Sequence, residues 1–365
     1  MRVGPPLLVL MFSTLGASQL SGQQAGNTLM EPKHVAEIRY VTSAVVSPGG
    51  EHVAYTVSVP RQVLDDDDGP AWSQLFVATL DGDAVTTRPF IVGEVSIGTP
   101  RWSPDGRWIY YVAKRDGDKE KLLYRIAVDG GESIASLKHT TSIEGFDLAP
   151  DGKTLAFLAK PEPDPAAKQF REKGFDQQIY EEDWQPTSVW IAELDPQATT
   201  QKTVTKPRRL DLKGSASAVQ WSPSGKELMV VLAPTPSVDD SYMYQRVHVI
   251  EADTGRTLRS INNPGKLGQV AWSPDGKRLA IISGADIHDP HEGRLMVANI
   301  DGEEGLRDLM PELDAQVASV AWKDDSTLHW LAADGLSSRF GSVDLSGSRI
   351  DLIEPGSEVV LSGFS

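Results

Sequence analysis

Short apolar runs recur along the chain, each entered through a polar turn. Trp108-Ile109-Tyr110-Tyr111-Val112, Leu155-Ala156-Phe157-Leu158, Leu228-Met229-Val230-Val231-Leu232 and Leu279-Ala280-Ile281-Ile282 are rich in branched and aromatic residues and short for helices. They predict strands. A second series follows after polar loops: Leu75-Phe76-Val77-Ala78, Leu122-Leu123-Tyr124-Arg125-Ile126, Val189-Trp190-Ile191-Ala192, Val247-His248-Val249-Ile250 and Leu295-Met296-Val297-Ala298. Most of these end in acidic or glycine turns such as Asp81-Gly82, Asp129-Gly130-Gly131 and Asp301-Gly302, where glycine permits the positive φ of a hairpin connection.

A repeated turn precedes the first series. Its copies read Val46-Ser47-Pro48-Gly49-Gly50, Trp102-Ser103-Pro104-Asp105-Gly106, Leu148-Ala149-Pro150-Asp151-Gly152, Trp221-Ser222-Pro223-Ser224-Gly225, Trp272-Ser273-Pro274-Asp275-Gly276 and a degenerate Trp322-Lys323-Asp324-Asp325-Ser326. Ser opens the turn, Pro presets φ at its second position, and Gly takes the fourth. The spacing of about 40 to 55 residues, with one longer interval, is the period of a propeller. Counting the segment before each anchor, the unit is a four-stranded antiparallel blade, so the fold class is an all-β propeller with six recognisable repeats. A helical solenoid has a similar period but would show helical spacing, which is absent. The anchor tryptophans Trp102, Trp221, Trp272 and Trp322 are expected to pack as core between blades.

The chain's last residues, Glu358-Val359-Val360-Leu361-Ser362-Gly363-Phe364-Ser365, read as the opening strand of a further blade. Two explanations stand: a truncated seventh blade of a longer gene product, or a strand that completes the first blade. The abrupt stop favours truncation. The long interval is an insertion in the third blade over residues 160–186. It begins Pro161-Glu162-Pro163-Asp164-Pro165, and its continuation from Ala166 to Tyr180 is expected to include a short helix. Insertions of this kind carry function more often than blade cores do.

Composition narrows the function classes. Hydrophobic residues at 40% and charged residues at 24% are the balance of a globular protein. The formal charge of -16, from 35 Lys and Arg against 51 Asp and Glu, repels phosphate backbones, so no nucleic acid is expected. Cysteine is absent, which excludes disulfides, thiolate metal sites and a cysteine nucleophile. The N-terminus, Met1-Arg2-Val3-Gly4-Pro5-Pro6 followed by Leu7-Leu8-Val9-Leu10-Met11-Phe12 and the small residues Gly16-Ala17-Ser18, matches a secretory signal peptide over residues 1–25. The competing reading is an apolar tail. No later run is long enough for a membrane span, so residues 26–365 are expected to be an exported propeller domain, periplasmic or extracellular.

At these residues the sequence resembles the propeller of the prolyl oligopeptidase family of serine peptidases, in its acylaminoacyl-peptidase and dipeptidyl-peptidase-like branch. The resemblance spans about Glu31 to Ser365 and rests on the W-S-P-D-G blades, which TolB-like propellers share. It also rests on Lys173-Gly174-Phe175-Asp176 to Tyr180-Glu181-Glu182-Asp183, and on Asp289-Pro290-His291-Glu292-Gly293-Arg294-Leu295. It implies a propeller placed over an α/β-hydrolase domain whose nucleophilic Ser sits in a G-x-S-x-G elbow. No such elbow occurs here: Gly214-Ser215-Ala216-Ser217 and Gly347-Ser348-Arg349 do not fit, and Gly363-Phe364-Ser365 matches only three positions. No catalytic residue is therefore assigned, and the chain is expected to be inactive alone. The resemblance implies a substrate-gating role towards peptides or acylated peptides. The alternative is a free-standing TolB-like scaffold with a protein partner.

Three clusters invite a site. Glu181 and Glu182 resemble the double-glutamate motif with which dipeptidyl-peptidase propellers hold a substrate amino terminus, and two adjacent carboxylates suit an ammonium. A solvated acidic loop is the competing reading. Asp65-Asp66-Asp67-Asp68-Gly69 suggests calcium, but calcium loops alternate their ligands, so a solvated loop is expected. His288-Asp289-Pro290-His291-Glu292 suggests a metal, but Pro290 points to a structured turn. No metal and no cofactor are expected.

Overall fold

The computed structural model describes residues 29–98, 100–115, 117–177, 179, 181–195, 206–288, 291–302, 305–353 and 360–365, so the leader expected over residues 1–25 lies outside the described residues. After a short α1 (Pro32–Ala36), the first blade comprises β1 (Tyr40–Val46), β2 (His52–Val59), β3 (Trp72–Asp81) and β4 (Ala84–Ile91). The second comprises β5 (Arg101–Trp102), β6 (Trp108–Ala113), β7 (Leu122–Ala127) and β8 (Ile134–Leu137). In the third, β9 (Ile143–Leu148) and β10 (Thr154–Ala159) are separated by α2 (Pro165–Glu172) from β11 (Ser188–Glu193) and β12 (Arg208–Arg209). The fourth has β13 (Ser215–Trp221), β14 (Glu227–Ala233), α3 (Val238–Met243), β15 (Arg246–Glu251) and β16 (Thr257–Ile261). The fifth has β17 (Leu267–Trp272), β18 (Arg278–Ser283), β19 (Arg294–Asn299) and β20 (Arg307–Asp308). The sixth has β21 (Gln316–Trp322), β22 (Thr327–Asp334), β23 (Ser337–Asp344) and β24 (Arg349–Ile353).

Each sheet holds four strands in chain order, with antiparallel pairing. This is a six-bladed β-propeller. The expected opening strand of a further blade is not formed: among the described residues no strand follows β24, and the first blade already has four strands of its own. Glu358 and Val359 lie outside the described residues. In place of a ladder, the described end of the chain makes one bond from its backbone to a side chain and one from its side chain to the β1 backbone. Leu361 N–H donates to Ser338 Oγ at 2.8 Å, and Val46 N–H donates to Ser365 Oγ at 3.4 Å.

The anchor turns close by a backbone bond from the fourth residue to the first, as from Gly106 N–H to Ser103 O and from Gly276 N–H to Ser273 O, both at 2.9 Å. Gly276 has φ +70°, a left-handed conformation that costs an L side chain about 1–2 kcal/mol. The tryptophans behave as core. Trp102, Trp221 and Trp272 are buried, and Trp322 is half-buried.

The described residues fall into two compact units, one of residues up to 119, 123–134 and 364–365, the other of residues 120–122 and 135–363. In the first unit, Trp102 Nε1 donates to Val45 O at 2.8 Å and its ring stacks on His52. In the second, Trp272 packs with Met229, Val231 and Val249 of the preceding blade, while Trp322 Nε1 donates to Ala271 O at 3.1 Å. Strand alternation puts the anchor turn at one end of each blade and the connection from second to third strand at the other. In the second unit three of these connections are long: 160–187, 234–245 and 284–293. Two of them border the start of the next blade's first strand, since Ala216 N–H donates to Thr187 O at 2.8 Å and Val317 N–H to Gly293 O at 2.9 Å.

Candidate functional site

The insertion rises from a fixed base. Trp190 on β11 donates from Nε1 to Ala159 O at 3.1 Å, and His139 meets the Trp190 and Phe157 rings edge-on at 4.6 and 5.3 Å. Thr141 Oγ1 donates to Lys160 O at 2.5 Å, and Thr187 N–H to Ser215 Oγ at 3.1 Å, which ties both ends of the insertion to the blades. Burial holds His139 below the usual histidine range, against the opposing Thr141 backbone and Glu162 carboxylate.

From that base the chain builds a helix with both ends capped. Asp164 accepts the Ala166 N–H at 2.8 Å and Pro165 occupies the first turn, where its missing N–H costs nothing. At the other end Gly174 takes φ +86°, Gly174 N–H donates to Arg171 O at 2.9 Å and Phe175 N–H to Phe170 O at 3.0 Å. The Phe170 and Phe175 rings meet edge-on at 6.2 Å. This is a Schellman termination with its accompanying apolar contact. A tight loop follows, in which Ile179 N–H donates to Asp183 Oδ2 at 2.9 Å and Glu182 and Asp183 N–H both donate to Ile179 O at 3.2 Å. Glu181 closes it at φ +64°, a strained conformation for a residue with a Cβ.

Helix and loop line an open cavity of about 660 Å³, within the size range of small-ligand pockets. Phe170, Phe175, Ile179 and Trp184 supply its apolar surface, and all four are exposed. Among the described residues, Glu162, Asp164, Glu182 and Asp183 line it against a single cation, Arg171. Asp164 and Asp183 are engaged by the backbone, whereas Glu162 and Glu182 have no ion-pair partner among the described residues. An apolar wall beside two carboxylates that lack an ion-pair partner suits a ligand with one ammonium and one hydrophobic group.

The structure divides the glutamate pair found in the sequence. Glu182 lines the cavity and Glu181 does not; its role is the left-handed backbone that makes the turn. Glu162 and the aromatic wall escaped sequence reasoning, although four large apolar residues in a proline-rich insertion were a usable signal. The four aspartates after β2 do not converge: Asp66 Oδ2 accepts Gln62 N–H at 2.6 Å, and Arg61 Nη1 donates to Asp67 O at 2.9 Å, so the loop bonds itself. In the connection from β18 to β19, His288 Nδ1 lies 3.0 Å from Asp286 Oδ1 and His291 Nε2 lies 3.1 Å from Asp286 Oδ2. Asp289 and Pro290 lie outside the described residues.

Known proteins agree with this architecture. A dipeptidyl-peptidase 5 from Porphyromonas endodontalis is 28% identical over 137 residues, which is 38% of this chain and 19% of that protein. The aligned stretch thus spans about a fifth of that relative's length. Among solved structures, the Pyrococcus horikoshii acylaminoacyl peptidase matches with a TM-score of 0.59 at 12% identity, over 89% of this chain and 47% of that one. TolB from Acinetobacter baumannii matches with a TM-score of 0.50 at 14% identity, over 87% of this chain and 64% of that one. At such identities these two structures speak to the fold alone. Among the described residues no helix is long and apolar enough to cross a membrane. The model of the lipoprotein LpqB beta-propeller domain matches residues 19–249, well over half of the sequence, and the chain belongs to that family.

Proposed function

We propose that this chain is the substrate-gating propeller of an exported serine peptidase, and that the cavity of the third blade receives the free amino terminus of a short peptide. The observation that carries the reading is the pairing of unpartnered Glu162 and Glu182 with the aromatic wall of Phe170, Phe175 and Trp184 in one cavity. The carboxylates would take the ammonium and the rings the first side chain. The strained Glu181 backbone supports it, because such conformations concentrate at functional sites. Likeness to a dipeptidyl-peptidase sequence and to an acylaminoacyl peptidase fold supports a peptide ligand. Export is supported by the leader-like N-terminus and the lipoprotein family description. Hydrolysis would belong to an α/β-hydrolase domain, since these 365 residues contain no G-x-S-x-G elbow.

The electrostatic part of recognition is modest at an exposed site. A charge pair at about 4 Å contributes roughly 1 kcal/mol in bulk water and about 4 kcal/mol at an effective dielectric constant near 20. Peptides with a free amino terminus are therefore expected to bind at least five-fold tighter than their N-acetylated forms, read by tryptophan fluorescence, with the response at Trp184 isolated by Trp184→Phe. Glu182→Gln should abolish that preference. Equal binding of the two peptide forms, or none, would sink the amino-terminal reading. Stable capture of a folded protein without any peptide binding would favour the TolB-like scaffold instead. Reading the coding DNA past the codon for Ser365 tests the gating role separately: a G-x-S-x-G elbow in any downstream frame supports the peptidase, and its absence supports the scaffold.

A further inference from the structure

The connection from β18 to β19 holds a group of metal-ligating side chains that the cavity of the third blade does not use. Asp286, His288 and His291 each present one ligand atom, and these atoms all lie within 4.8 Å of one another. Asp286 Oδ1 lies 3.0 Å from His288 Nδ1 and Asp286 Oδ2 lies 3.1 Å from His291 Nε2, so one carboxylate stands between the two imidazoles and either of its oxygens can serve as the ligand. With metal–ligand bonds of about 2.0–2.2 Å, ligand atoms of a tetrahedral ion stand roughly 3.3–3.6 Å apart, a spacing that the three groups reach by small side-chain rotations. The two imidazoles are inclined at 61° with centroids 6.3 Å apart, so they converge on the carboxylate instead of stacking.

We propose that Asp286, His288 and His291 bind a divalent transition-metal ion of the zinc class. The donor set selects the class: two imidazole nitrogens and one carboxylate suit Zn²⁺ and its neighbours, whereas Ca²⁺ requires six to eight oxygens and Mg²⁺ an octahedral oxygen shell. Three protein ligands leave a fourth position for water.

Support behind the ligands is the second observation. Glu292 Oε2 lies 3.7 Å from His291 Nδ1, the ring nitrogen that faces away from Asp286. Glu292 Oε1 in turn accepts from Arg294 Nη2 at 2.9 Å and Nε at 3.1 Å, and Arg294 Nη1 donates to Asp308 Oδ2 at 3.1 Å on β20. At 3.7 Å this carboxylate is beyond hydrogen-bond reach, and what it supplies is negative charge held in place behind the imidazole, which favours a cation on the other side. On the other side, His288 N–H donates to Asp286 Oδ1 at 2.7 Å, which sets the carboxylate orientation, and Gly284 N–H donates to Lys266 O at 2.9 Å, which seats the start of the loop. Without a metal, both imidazoles would simply donate N–H groups to Asp286. The two arrangements differ in metal affinity, which decides between them.

The test is calorimetric titration of the untagged full chain with ZnCl₂, and with CaCl₂ and MgCl₂ as comparisons. One Zn²⁺ per chain at micromolar or tighter affinity is expected, with no binding of the hard ions. Asp286→Asn and His291→Ala should each weaken Zn²⁺ binding at least ten-fold, while His248→Ala leaves it unchanged. Substituting Co²⁺ should produce visible d–d absorption that His291→Ala removes. Unchanged circular dichroism and unfolding midpoint in EDTA establish that the variants are folded; should His291→Ala fail this control, His291→Gln replaces it. Zn²⁺ binding weaker than millimolar, or equal in the wild type and both ligand variants, overturns the proposal.

Discussion

Ser273 opens its anchor turn for a reason beyond turn preference. It is fully buried, accepts Arg278 N–H at 2.9 Å through Oγ and donates to Asp275 Oδ1 at 2.6 Å. The same brace recurs from Trp108 N–H to Ser103 Oγ at 3.0 Å and from Glu227 N–H to Ser222 Oγ at 3.1 Å. Burial works to raise the Asp275 carboxyl, but the Ser273 hydroxyl and the Lys277 backbone outweigh it and hold it below its ordinary value. Ser273→Ala would leave a buried N–H without its acceptor, at a cost of about 1–3 kcal/mol. Denaturant unfolding of Ser273→Ala should show that loss, and an unchanged midpoint would reduce the serine to a turn former. The motif's turn role was legible in the sequence because the residues act locally. The bonds from Trp102 Nε1 to Val45 O and from Trp322 Nε1 to Ala271 O were not, since each partner lies in the preceding blade. Asp286 was missed for a related reason: nothing periodic in a loop announces which side chains will converge.

Among elements, the strands were legible and the insertion only in part. The run Leu228–Leu232 became β14 and Leu279–Ile282 became β18, because a branched apolar run beside a turn has one way to be buried. The helix expected between Ala166 and Tyr180 forms over Pro165–Glu172. Its cap was readable from Asp164-Pro165, and its stop from Gly174 just past the last turn. The cavity was not readable, since it depends on how the loop closed by Ile179 and Asp183 returns towards the helix. Gly174→Val tests that linkage. A β-branched residue at φ +86° carries at least the 1–2 kcal/mol penalty of the left-handed region, roughly, and the insertion has few contacts to absorb it. Tryptic cleavage after Arg171 and Lys173 should accelerate several-fold while the global unfolding free energy stays within about 0.5 kcal/mol, because the opening is local. A matching fall in global stability would mean that the insertion is part of the cooperative core.

At the level of the whole molecule, the repeat was visible because propeller blades reuse one hydrogen-bonded plan, whereas the chain's response to acid depends on burial that no repeat reveals. Burial holds His139, His248 and His329 below the ordinary histidine range. His329 is the most enclosed: its ring stacks on Phe340 at 5.5 Å, and neither ring nitrogen has a hydrogen-bond partner. The Gly341 backbone opposes its shift without making a bond of good geometry. For a histidine depressed in the folded state, the unfolded chain binds more protons below about pH 6.5, so stability is full above that pH and falls as the pH drops through it. The net charge of -16 acts in the opposite direction, because protonation towards the isoelectric point near 4.9 relieves repulsion. Salt separates the two. At about 1 M ionic strength the screening length is roughly 3 Å, which removes most surface repulsion and leaves the buried histidines. Under those conditions the denaturant midpoint is expected to fall between pH 7.5 and pH 5.5. His329→Leu should flatten part of that fall and leave stability at pH 7.5 unchanged or higher, since it replaces two unpartnered nitrogens with apolar surface. A midpoint that is flat in high salt, or equally steep in the variant, would assign the acid response to the surface charge instead.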